Sequence, residues 1–218
     1  MQASAQVIND TRTTEREKSF YVKASCIFLV MIIMSAIGWI AENTVKLISS
    51  GKMDNRFHVL PFIFPYGLAF LAMYAVLGNT NDIGFFGKKL FSKRSVKSVI
   101  LSNLTYVSIV SFFVFIGELS VGNLYEFATG AKLWDYSSQP LHLTQYVSLS
   151  SALGYGVGAY IVMKALYPLC NALIEKGNIR AVIIADCTLG AAILTDSVCM
   201  ILITLITKTP PVYWAIQF

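Results

Sequence analysis

Five apolar runs, residues 24–42, 59–78, 99–118, 147–169 and 181–206, constrain this chain more than any motif in it. At 1.5 Å of rise per residue, a helix made from any of them reaches about 30 Å, the thickness of a bilayer's hydrocarbon layer. Lipid offers no partner to an open backbone, so such runs fold as helices packed on one another. The expected fold is all-α, a polytopic membrane bundle of about five transmembrane helices. It forms one transmembrane domain over residues 23–207, with a polar tail at 1–22 and an interfacial tail at 208–218. Composition agrees: 56% of residues are hydrophobic and 13% charged, whereas a soluble domain carries about a quarter charged residues.

Cys26, Cys170, Cys187 and Cys199 lie in or beside apolar runs without paired spacing. They read as small buried hydrophobes rather than as a disulfide or metal framework. The opening from Met1 to Ser19 is polar and lacks the apolar core of a cleaved signal, so the first span is expected to act as its own insertion signal. The net charge of +5 comes from residues flanking the spans, which argues for membrane orientation and against nucleic acid. Of the 17 lysines and arginines, Lys46, Lys52, Arg56, Lys132 and Lys208 fall on one side. The other twelve lie in or beside the N-terminal tail, the 79–98 loop and the 170–180 loop. That asymmetry places the N-terminus in the cytoplasm and the C-terminus outside. The 79–98 loop mixes Lys88, Lys89, Lys93, Arg94 and Lys97 with Phe85, Phe86, Leu90 and Phe91, a pattern expected to lie as an interfacial helix on the inner leaflet.

Acids near the spans need a reason to be there. Glu42 follows Trp39 by three residues at the end of the first run, and Glu118 ends the third. If that helix continues, Glu118, Gly122 and Glu126 share a face and Gly130 is the natural stop. Asp186 and Asp196 lie inside the fifth run, where an unpaired aspartate costs about 2.5 to 3.5 kcal/mol. Each should face the bundle interior and find a partner. Pro61 and Pro65 fall in the first turns of the second span, where a missing amide hydrogen matters least. Gly154 and Gly158 have the small-xxx-small spacing that lets membrane helices approach closely. Without a preceding strand they are no dinucleotide fingerprint.

The inferred topology brings Glu42, Arg56, His58, Glu118, Glu126, Asp135, His142 and Asp196 to the outer side. Scattered interfacial charge accounts for the loop residues one at a time, but not for Glu118 and Asp196 together. The expectation is an outward-facing cavity between helices one, three and five, roofed by the first and third loops. Its substrate-binding residues would be Glu42, Arg56, Glu118, Trp134, Asp135, Tyr136 and Asp196, with Arg56 or Lys52 as counter-charge. His58 and His142 lie far apart in the chain without metal-ligand context, and no cofactor or metal is implied. No Gly-x-x-x-x-Gly-Lys-Ser/Thr phosphate loop occurs, so any nucleotide hydrolysis belongs to another chain.

Several motifs resemble those of a family of small bacterial membrane proteins, the putative type IV ABC-transporter permeases. They are Gly38-Trp39 with Glu42, Asn55-Arg56, Pro61, Pro65-Tyr66-Gly67, Glu118 and, most specific, Leu133-Trp134-Asp135-Tyr136-Ser137 with Pro140 behind it. Order and spacing agree from Gly38 to Gly156. Phe57 stands where the family usually has glycine, and Leu60, Leu119, His142 and Gln145 also depart from its pattern, as in a distant member. The resemblance implies a permease-like subunit working with a separate cytoplasmic ATPase, which would dock on loops 79–98 and 170–180, within the lipid bilayer and with room for a homo-oligomer. On that reading the outer acids and aromatics bind a small polar or cationic substrate. Two other classes fit the residues. One is a membrane enzyme acting on a lipid-linked substrate at the outer surface, with Glu118 and Asp135 or Glu42 as acid and base and Arg56 on a phosphate. The other is an accessory subunit.

Overall fold

A computed structural model describes residues 2–80, 83–90 and 95–218, with side chains from Glu15 onward except Arg16. Asp82, Phe91, Lys93 and Arg94 of the basic loop, and the side chains of Arg12 and Arg16, lie outside the described residues. The described chain forms α1 (Gln2–Ser50), α2 (Phe64–Leu77), α3 (Val96–Thr129), α4 (Leu149–Lys176) and α5 (Ile179–Thr207). Four of these, all but α2, are long and apolar enough to cross a membrane, and α2 is a shorter apolar helix. The protein is a multi-pass membrane helix bundle.

Helix boundaries depart from the apolar runs where a local chemical group intervenes. The first run is only part of α1, which continues unbroken through the polar residues that precede it. The second helix starts at Phe64 with Pro65 in its first turn, five residues later than expected, and Pro61 stays outside it. Pro61 has no amide hydrogen, and the amides of Val59 and Leu60 are bound by Asp196 instead of helical carbonyls. The third helix runs on past Glu118 to Thr129. Ser95 caps its start by accepting from the Ser98 amide at 3.1 Å, and Gly130 ends it in the left-handed region at φ 76°. At 34 residues, α3 is about 51 Å long and outruns the hydrocarbon layer.

Short antiparallel pairs close the loops. Strands β2 (Gly84–Phe85) and β3 (Lys88–Lys89) form a hairpin through Phe86 and Gly87, both at positive φ. This corrects the expected interfacial helix: glycines at 84 and 87 favour a tight primed turn over a helix. Strands β4 (His142–Thr144) and β5 (Val147–Ser148) precede α4. Strand β1 (Lys52–Asp54) pairs with β6 (Ala215–Gln217), so the chain's last residues return to the α1–α2 loop.

Val22, Cys26, Val30 and Met34 repeat every four residues along one face of α1 and form the spine of the core. They pack with Phe70, Met73 and Leu77 of α2, Tyr106 and Val110 of α3, and Met163 and Tyr167 of α4. Inside lipid, close backbone approach decides such packing more than removal of apolar area from water. A Cβ on Gly67 would lie 2.4 Å from the Met31 carbonyl oxygen, and one on Gly156 would lie 2.9 Å from that of Val107. Gly67 therefore seats α2 on α1, and Gly156 seats α4 on α3. The expected Gly154 and Gly158 pair does not play this part: both face open space. Asp186 is buried with the Ser25 hydroxyl of α1 as its hydrogen-bond partner.

Candidate functional site

At the end of the bundle where α1 and α3 finish, a chain of charged side chains starts on α1 and runs into the α1–α2 loop. Asn43 accepts from the Asp54 amide at 3.0 Å, and Lys46 bonds the Asp54 carboxylate. Asp54 in turn accepts from the Arg56 amide at 2.9 Å. The Lys46 and Arg56 contacts together hold Asp54 below the usual carboxylate range despite its burial. Arg56 donates to Glu42 at 2.6 Å. The other oxygen of Glu42 receives the Tyr66 hydroxyl at 2.5 Å. Both Arg56 and Phe57 take positive φ, 51° and 71°, a conformation that costs a residue with a Cβ about 1 to 2 kcal/mol. The glycine that the family resemblance implies at position 57 would adopt that conformation without this cost.

Asn55 ties this loop to the chain's end. Its side chain donates to the carbonyls of His58 at 3.2 Å and Pro211 at 3.4 Å, and accepts from the Tyr213 amide at 3.1 Å. Trp39 donates to the Asn55 carbonyl at 3.3 Å and meets Trp214 edge to face. Asp196 of α5 accepts from the amides of Val59 and Leu60, each at 3.0 Å. His58 Nδ1 lies 3.5 Å from the same carboxylate. Burial pushes the His58 imidazole below its ordinary value, against the pull of Asp196.

The α3–α4 loop builds the facing side. Trp134 donates to the Tyr146 carbonyl at 3.0 Å, and the Tyr136 amide donates to that of Gln145 at 2.7 Å. Tyr146 passes over Gly122, where a Cβ would collide with its ring, and donates to Glu126. The Tyr136 hydroxyl donates to Glu118 at 3.1 Å, and Ser151 of α4 donates to the other Glu118 oxygen at 3.1 Å. Burial and the nearby Glu118 and Glu42 charges push the Tyr136 phenol well above its ordinary value, so it remains a donor. Asp135 points away. It is exposed, binds the Ser137 amide at 2.9 Å and Lys132 at 3.0 Å, and is held low by those contacts.

Between the two sides lies a cavity of about 500 Å³, within the size range of small-molecule sites. Of the seven residues singled out in the sequence, Glu42, Arg56, Glu118, Trp134 and Tyr136 line it together. Asp135 and Asp196 do not; they bond loop backbone. The walls are mainly α2 and α3, with Glu42 reaching in from α1, Tyr155 from α4 and Met200 from α5, rather than helices one, three and five alone. Tyr66, Tyr155 and Ser151 complete the site, and Tyr155 donates to the Tyr66 carbonyl at 2.6 Å. The position of Tyr66 within the family-like motifs signalled it; Ser151 carries no local signal. Among the described residues, no group of three His, Cys, Asp or Glu comes together to hold a metal.

Glu42 and Glu118 share the cavity but differ in their partners. Glu42 has a guanidinium, whereas Glu118 has two hydroxyls and, among the described residues, no cation within ion-pair distance. A carboxylate held in this way accepts hydrogen bonds and, when ionised, has no counter-charge of its own among the described residues. No curated protein and no solved structure shows a significant match to this chain. The family described as "Putative ABC-transporter type IV" matches residues 29–201, which carry both sides of the cavity, and the chain belongs to that family.

Proposed function

We propose that this chain is the permease-like membrane subunit of a transporter whose ATPase is a separate protein, and that the cavity receives a small polar or cationic group. The N-terminus lies in the cytoplasm and the C-terminus outside, in the bacterial cell membrane, because the basic residues concentrate at the end of the bundle opposite the cavity. The hydroxyl-only coordination of Glu118 carries this reading: a carboxylate with no counter-charge among the described residues, in a cavity that Trp134 and Tyr136 also line, suits an ammonium. Arg56 and Glu42 fix the opposite wall, and Tyr136 and Ser151 orient Glu118. The ATPase docks on the 79–98 and 170–180 segments.

Purification of the tagged protein from its native membrane in mild detergent, followed by mass spectrometry, tests this assignment. A nucleotide-binding ATPase recovered at close to equal amounts supports it. An intact, monodisperse protein that brings no ATPase overturns the reading of a permease subunit with a separate ATPase. Orientation is checked by single cysteines. One at exposed Ser138 should react with an impermeant thiol reagent on intact cells and one at Lys176 should not, and the reverse pattern inverts the topology.

A further inference from the structure

The cavity continues far beyond its polar end. Leu68, Ala72 and Val76 recur every four residues on one face of α2, and Phe113, Gly117 and Val121 do the same on α3; all six line the cavity. The two stripes flank an apolar slot that passes Glu118 and runs down the bundle toward Val76 and Phe113. From Tyr66 to Val76 the α2 wall is about 15 Å long at 1.5 Å per residue. Leu68, Ala72, Phe113, Gly117 and Val121 are exposed, so the slot is open along its flank as well as at its end. In this membrane bundle, the exposed flank faces the hydrocarbon. A Cβ on Gly117 would touch nothing within 4 Å, so the slot is unfilled where it meets the acid.

A polar group at one end and an apolar slot leading away from it describe a ligand with a head and a tail. We infer that the cavity binds a single-chain cationic amphiphile, its ammonium against Glu118 between Trp134 and Tyr136 and its tail between α2 and α3, entered sideways from the membrane. This rests on the cation-binding reading above and adds the tail and the lateral route. The charge pattern selects a cation over an anion. Arg56 is already committed to Glu42 at 2.6 Å with Asp54 at 3.9 Å, leaving Nε as its unpartnered donor. Among the described residues, Glu118 has no such opposite charge. Gly117 and Ala72 matter because a larger residue at either would block the slot between head and tail.

The test is photolabelling of the purified full-length protein in nanodiscs. The probe is an alkyl trimethylammonium with a diazirine in mid-chain, and labelled peptides are mapped by mass spectrometry. Labelling should concentrate on the α2 and α3 stripes, and excess tetramethylammonium should suppress it. Glu118→Gln should reduce it by about tenfold, the loss of one favourable charge contact. Gly117→Leu, which replaces a glycine in an exposed helical position with a better helix former, should abolish stripe labelling. Tetramethylammonium binding by the wild type is read separately by Trp fluorescence.

The failures separate. If tetramethylammonium binds but the probe labels all lipid-facing surfaces alike, the cation site stands and the amphiphile inference falls. If tetramethylammonium neither binds nor competes, the cation-binding reading itself falls. An alkyl phosphate probe that labels the stripes as strongly as the ammonium probe overturns the choice of a cationic head.

Discussion

The corner where β1, β6 and the α1–α2 loop meet and the ledge where the α3–α4 loop folds over Glu118 lie at the same end of the bundle, and both bury polar groups. They satisfy those groups differently. At the corner, Lys46, Asp54, Arg56 and Glu42 alternate in sign, and Asn55 and Asp196 bind backbone amides and carbonyls on two chain segments, 58–60 and 211–213. At the ledge, Glu118 and Glu126 are met by tyrosine, serine and glutamine side chains. A corner closed in this way behaves as scaffold, because removing one partner orphans another buried group. A ledge that meets a carboxylate with hydroxyls alone leaves it without a counter-charge among the described residues, which is the property a cation site needs.

The largest test of that contrast is Asn55→Ala. It orphans the carbonyls of His58 and Pro211 and the amide of Tyr213 in a site that is 1% exposed. A cost of about 3 kcal/mol is expected at 1 to 3 kcal/mol per orphaned group, tempered by relaxation. It should appear as a lower thermal midpoint in detergent and as early proteolysis of the released tail. A change within about 0.5 kcal/mol, the range of an ordinary surface substitution, would mean the corner is not scaffold.

Asp196→Asn comes next. It keeps one acceptor but loses the charge on two amide bonds, at about 2 kcal/mol. Cation binding at Glu118 should survive, because Asp196 does not line the cavity. Loss of binding at unchanged stability would return Asp196 to the site.

These residues also show what the sequence made legible. The helices were, because about 20 apolar residues admit few other folds in lipid, and Gly130 as the stop of α3 followed from left-handed capping. Glu118 stood out because a carboxylate at the edge of hydrocarbon requires a partner. Asp196 stood out for the same reason, yet its partners are amides rather than a ligand, and a sequence shows the need for a partner without showing which one meets it. Asn55 as a hub was not legible, since its bonds reach more than 150 positions along the chain. Helix contact by Gly156 instead of Gly154 and Gly158 was a matter of helix rotation, which spacing alone leaves free. The tail slot was hidden similarly: its residues look like any lipid-facing stripe until α2 and α3 are side by side.

Glu118→Gln inverts the pattern of the corner. The amide oxygen still accepts from one of the two hydroxyls, and the other hydroxyl can turn to accept from the amide NH2, so stability should change by less than about 1 kcal/mol, the size of one neutral hydrogen bond. Tetramethylammonium affinity should fall about tenfold, equivalent to about 1.4 kcal/mol. A large destabilisation with unchanged binding would make the ledge scaffold as well and erase the difference between the two regions.

The smallest expected effect is the pH response of His58 at the corner. Its imidazole is 3% exposed, and burial together with the nearby Arg56 charge outweighs the attraction of Asp196, so its folded pKa lies below the ordinary value. The unfolded chain therefore binds more protons than the folded one as pH falls through about 6.5. The sign follows: His58 leaves stability intact above about pH 6.5 and removes some of it as the pH falls below that, until the folded pKa is passed. His58→Gln cannot take up that proton. Between about pH 7.5 and 5.5 the wild type should lose thermal stability relative to this variant. Parallel curves would mean that the attraction of Asp196 cancels the effect of burial, whereas a wild type that gains stability relative to the variant as the pH falls would mean that Asp196 holds the imidazole charged, turning the contact at 3.5 Å into an ion pair and making the corner the more strongly charged of the two regions.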